Sequence, residues 1–113
     1  MSKKPYWNFA ASYLVQRYGG NISFIDNIVY IKNGEDEFYC DISKKTEKGK
    51  WRFWHKSPHT SDYHRQIDRK NMIVGLYTCL THINKYTNIP YCRQDRIAIQ
   101  KEISKAWQEK NMI

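Results

Sequence analysis

The stretch Glu37-Phe38-Tyr39-Cys40-Asp41-Ile42-Ser43, followed by Lys44-Lys45-Thr46-Glu47-Lys48-Gly49-Lys50 and then Trp51-Arg52-Phe53-Trp54-His55, decides how this chain folds. Two runs rich in aromatic and β-branched residues flank a polar connection containing Gly, which is how a β-hairpin with a longer loop is written. Successive strand residues point to opposite faces, so the pattern sorts its own side chains. Phe38, Cys40 and Ile42 go one way and Tyr39 and Asp41 the other; on the return strand Trp51, Phe53 and His55 oppose Arg52 and Trp54. With the first of these sets facing the core, the opposite face carries Tyr39, Arg52 and Trp54. Lys44, Lys45, Lys48 and Lys50 surround the loop and Lys56 follows the second strand. Rings that stack on bases, interleaved with cations that track phosphates, are what a single-stranded nucleic acid requires of a protein surface.

Working outward, Pro5 to Tyr18 has the spacing of a helix, with Pro5 in its first turn and an apolar stripe of Tyr6, Phe9, Ala10, Tyr13 and Leu14. Gly19-Gly20 closes it. Ile22 to Ile31 is a β segment, read either as a hairpin turning at Asp26-Asn27 or as one continuous strand. Asn33-Gly34 is a turn that returns the chain into Glu37 to Ser43, and Glu35-Asp36-Glu37 beside it reads as a solvated acidic turn. Lys56 to Ser61 reads as a linker, with Thr60 or Ser61 capping a long helix from Asp62 to about Tyr86, broken near Lys70-Asn71. Its apolar face is Met72, Leu76, Cys79, Leu80 and Ile83. Thr87-Asn88-Ile89-Pro90 interrupts, and a last helix over Arg93 to Lys110 buries Ile99, Ile103, Ala106 and Trp107. The order predicts a single α+β domain over 1–113: an N-terminal helix, an antiparallel meander of three to four strands, and two C-terminal helices packed on one sheet face. A chain of 113 residues buries roughly two-thirds of its unfolded surface, enough to fold without a metal or cofactor.

Charge narrows the function. Nineteen Lys and Arg against eleven Asp and Glu leave net +8, and residues 44–56 alone hold six cations and one carboxylate. Such a local excess suits a polyanion. The three cysteines, Cys40, Cys79 and Cys92, are too few and too scattered for the disulfide framework of a small secreted protein, which points to a reducing cytoplasm. No apolar segment is long enough for a signal peptide core or a membrane span.

The expected function is therefore a small basic accessory factor that binds single-stranded DNA or RNA, without catalytic residues, through Tyr39, Lys44, Lys45, Lys48, Lys50, Arg52, Trp54 and Lys56. The alternative is an adaptor or inhibitor docking on a larger replication or defence protein, since heavy use of Lys, Asn, Ile and Tyr suits an AT-rich phage or mobile element. A further alternative is metal-dependent chemistry. Asp62 with His59 and His64 is the local carboxylate and histidine grouping for a nuclease, and a zinc set of His59, His64, Cys79 and His82 is arithmetically available although its spacing matches no common module.

Overall fold

A computed structural model describes residues 4–82 and 93–111. The first helix, α1, runs over Lys4–Tyr18 and turns into the sheet through Gly19-Gly20, where the Gly19 N–H donates to the Val15 carbonyl at 2.8 Å. Five strands follow: β1 (Asn21–Ile25), β2 (Ile28–Asn33), β3 (Asp36–Asp41), β4 (Trp51–Lys56) and β5 (His64–Arg69). They pair antiparallel in chain order, so the sheet is an uninterrupted meander. Helix α2 (Met72–Leu80) and helix α3 (Arg93–Lys110) complete the α+β architecture.

The meander has five strands where the sequence predicts three to four, for two reasons. Asp26-Asn27 is indeed a turn, with Asp26 at φ 54°, so the Ile22 to Ile31 segment is two strands. The second reason is a correction: His64 to Arg69 is a strand and not the first half of a long helix. Its polar sequence suits an edge strand, whose charged side chains discourage further pairing. A register shift opposite Phe53 and Trp54 disturbs its alternation, so Ile67 faces Phe53 while Arg65 faces Trp54. Asn71 is the true helix cap: its Oδ1 accepts from the N–H groups of Ile73 at 2.8 Å and Val74 at 3.3 Å. Thr60, predicted as a cap, instead closes a turn with Ser57. The helix ends at Leu80 with Thr81 as its C-cap, short of the expected end near Tyr86; residues 83–86 and the expected interruption at 87–90 lie outside the described residues.

The core is built on the inner face of the sheet. Val29, Ile31, Phe38, Cys40, Trp51 and Phe53 project there against Leu14 of α1 and Leu76, Tyr77 and Leu80 of α2. Gly75 sits over the Phe53 ring so closely that a Cβ would collide with it, which is why a helix otherwise rich in large side chains carries a glycine at its centre. Trp7, left off the predicted stripe of α1, is buried edge-on against Trp51 at 5.3 Å. Helix α3 forms an outer layer on α1 and α2. Asp95 in its first turn accepts from the Tyr18 hydroxyl at 2.8 Å and the Tyr77 hydroxyl at 2.7 Å, and Glu102 accepts from Arg17 at 3.0 Å. Ile99 and Ile103 are buried as predicted, whereas Ala106 and Trp107 are half-buried, with the Trp107 ring against Tyr6 and Phe9.

Candidate nucleic-acid interface

The described helices all pack on the inner face, which leaves the outer face of the sheet uncovered among the described residues. Register places a row of side chains across it: Tyr30 of β2 is opposite Tyr39 of β3, Tyr39 opposite Trp54 of β4, and Trp54 opposite Arg65 of β5. Tyr39 and Trp54 lie 6.2 Å apart with planes within 15° of each other, and Tyr63 meets Tyr39 edge-on at 4.8 Å. Tyr30 is 45% exposed and Tyr63 37%, and Tyr39 and Trp54 between them are half-buried. Sequence reasoning reached Tyr39 and Trp54 but missed Tyr30 and Tyr63. The alternation of β2 was the signal for Tyr30; Tyr63 had none, because it precedes a strand read as helix. Burial beside Tyr39, with the Glu37 carboxylate nearby, pushes the Tyr63 phenol up, so it stays neutral.

The predicted cations border this row. Lys44, Lys45 and Lys48 are exposed in the β3–β4 loop, and Lys50 and Lys56 are half-buried. The loop is ordered rather than slack: Thr46 N–H donates to the Lys50 carbonyl at 2.7 Å, Gly49 N–H to Thr46 at 2.9 Å, and the Trp51 indole to the Ile42 carbonyl at 3.0 Å. Asp41 accepts from the Ser43 hydroxyl at 2.6 Å, which with the Ser43 N–H and nearby Lys44 holds its carboxyl below the usual range. Lys45, Lys48, Lys50, Arg52 and Arg65, with Glu47, Asp68 and Thr46, line an open trough of about 670 Å3 beside the aromatic row. Four predicted cations have other ties: Lys44 lies 4.0 Å from the Asp41 carboxylate and Lys56 5.9 Å over the Tyr63 ring. Lys45 also sits 4.4 Å over the Trp51 ring, at the rim of the inner face. Arg52 is forked onto Asp68, Nε to Oδ1 at 3.0 Å and Nη2 to Oδ2 at 3.2 Å, and Arg65 reaches the same carboxylate at 3.1 Å. The Arg52 guanidinium is thus an ion-pair partner on this face rather than a loose stacking plane.

The other predicted chemistry is rearranged. His59 is exposed in the β4–β5 loop, and Cys79 is buried in α2, where desolvation pushes its thiol well above the ordinary value. Cys40 is likewise buried, its thiol pushed up to about 12, so neither is a ready nucleophile or thiolate ligand. His59, His64, Cys79 and His82 are not brought together, and Asp62 joins no such group. What comes together among the described residues is Asp36, His55 and His82, with ligand atoms all within 4.8 Å of one another. Asp36 is a correction to the solvated acidic turn: it is the first residue of β3, 0% exposed, with its Oδ1 2.7 Å from His55 Nε2. The β2–β3 loop is Gly34-Glu35, one residue later than Asn33-Gly34, with Asn33 paired to Asp36 and Gly34 at φ 62°.

No helix among the described residues is long and apolar enough to cross a membrane. Comparison of the chain with protein-family models, curated proteins and solved structures returned no match.

Proposed function

We propose that this protein is an accessory factor that binds single-stranded nucleic acid on the outer face of its sheet. The observation that supports it best is the row Tyr30, Tyr39 and Trp54, edged by Tyr63, on the face opposite the helices and bordered by the loop lysines. A base stacked on an exposed ring gains ~1–3 kcal/mol, and such stacking tolerates any sequence because every base has a π face. The lysines supply the salt-dependent part through counterion release. No step of chemistry is needed for this role.

Intrinsic Trp fluorescence, titrated with an oligothymidylate at two salt concentrations, tests it. If the five lysines 44, 45, 48, 50 and 56 each meet a phosphate, a fourfold rise in salt weakens binding roughly a hundredfold, from ~0.7 in slope per neutralised phosphate. Trp54→Ala should weaken binding by ~1–3 kcal/mol with the slope unchanged. A parent protein that binds no oligonucleotide at low salt ends this reading. The second reading, an adaptor for a larger protein, draws on Ile25, 57% exposed at the free edge of the same face. It requires binding of a protein with weak salt dependence.

A further inference from the structure

We propose that Asp36, His55 and His82, with His64 at the mouth, form a binding site for one zinc-class divalent ion on the inner face of the sheet. The site is independent of the nucleic-acid reading, because it lies on the opposite side of β3 and β4. Its donors come from separate places in the chain: Asp36 opens β3, His55 is near the end of β4, and His82 follows α2. Three of the four histidines of the chain meet there. The His55 ring is 4.8 Å from that of His82 and 5.0 Å from that of His64, the exposed first residue of β5.

The chemistry of this set is selective. Two imidazoles and one carboxylate suit zinc and neighbouring transition ions, whereas calcium and magnesium seek oxygen ligands. A tetrahedral ion with bonds of ~2.0–2.1 Å needs donors about 3.4 Å apart, so a group within 4.8 Å closes at its widest by about 1.4 Å while the His55–Asp36 pair, at 2.7 Å, opens by about 0.7 Å. His55 is prepared for the role. Its Nε2 and Asp36 Oδ1, 2.7 Å apart, share one proton, which an ion displaces to take both atoms as ligands; the imidazole then carries its proton on Nδ1, which has no other hydrogen-bond partner among the described residues. The imidazole is 5% exposed and stacked on Phe38 at 4.5 Å with planes 13° apart, which fixes its orientation. His82 is half-buried and His64 exposed, which gives an ion a way in from solvent.

The test uses the full chain, purified through a chelator and titrated with Zn2+ against a chromophoric competitor, with melting followed in parallel. One ion per chain and a rise in Tm are expected, since a ligand bound only by the folded state stabilises it. Co2+ should give visible bands of nitrogen and oxygen ligation without a near-ultraviolet thiolate band. His82→Gln, changed at the rim and checked for folding by circular dichroism, should lose at least tenfold in Zn2+ affinity and the zinc-dependent rise in Tm; His59→Gln should change neither. Absence of one-to-one binding, a thiolate band on Co2+, or a folded His82→Gln that binds Zn2+ as the parent does would each overturn the site.

Discussion

The inner and outer faces of β3 and β4 are made from alternate residues of the same two strands, and each holds aromatic rings and a carboxylate paired with a base. Inside are Phe38, Phe53 and the pair Asp36–His55; outside are Tyr39, Trp54 and the pair Asp68–Arg52, the carboxylate lent by β5. The residue types barely differ, but the water does. Inside, the rings are sealed by α2 and the polar pair is almost wholly desolvated, with Asp36 0% and His55 5% exposed. Outside, the rings keep an open side and the carboxylate is shared by two arginines, an arrangement that solvent and salt can loosen. Residue type therefore fixes what a face can bind, and desolvation fixes what it costs to disturb it.

The comparison breaks most visibly at two neighbouring residues. Phe53→Ala should remove about 3–5 kcal/mol of stability, because it empties the space beneath Gly75 at the centre of the core. Trp54→Ala, the next residue on the other face, should cost well under half of that while losing oligonucleotide affinity. Urea unfolding of both variants checks this, and equal losses would mean that the outer face is packed rather than presented. A smaller contrast is expected at the carboxylates. Asp36→Ala strands a buried imidazole donor and should cost about 1–3 kcal/mol, measured the same way. A change within the few tenths typical of surface sites would show that water reaches His55.

Charge position sharpens the comparison further. Replacing both Lys48 and Lys50 by Ala removes cations from the trough beside the aromatic row, and the slope of log affinity against log salt should shrink by roughly 0.7 for each phosphate no longer neutralised. Lys101→Ala, exposed on α3, removes charge from the helical layer and should leave the slope unchanged. A merely sticky basic protein would respond alike to both.

Much of this was legible in the sequence because alternation is a local code. The hairpin from Glu37 to His55 sorted correctly residue by residue, and the span of α3 was readable from its apolar spacing. Asp36 was missed by one step: extending the alternation of Phe38 and Cys40 backwards places it inside, but the turn signal of Asn33-Gly34 outweighed the strand period. The strand β5 was not legible, since His64-Arg65-Gln66-Ile67-Asp68-Arg69 has one apolar residue and a register shift within it. What holds it is pairing to β4 and the Arg52–Asp68 fork, both long-range. The metal-ligand grouping failed for the same reason. Sequence proximity suggested His59 and Cys79, whereas the sheet register brings in His55 and Asp36.

The smallest expected effect concerns acid. The hydrogen bond from the Arg52 fork is the main cause, helped by the charges of Arg52, Arg65 and Lys50, that holds the Asp68 carboxyl below its ordinary value despite some burial. In the unfolded chain the same group titrates near ~3.9. A carboxylate depressed in the folded state contributes stability in full above its unfolded value and loses it as the pH falls through the folded one, because the unfolded state binds the proton first. Stability of the parent should therefore decline as the pH drops below about 4, and Asp68→Asn, which has no carboxylate to protonate, should show a shallower decline over the same window. Asp41, held low mainly by Ser43 on the same face, keeps its own share of the slope in both proteins. High salt should narrow the gap between the two curves, since the pair lies on the open side of the sheet. Parallel curves at every salt concentration would mean that the fork orients Arg52 without stabilising the fold, and the outer face would then be held by its rings and backbone pairing alone.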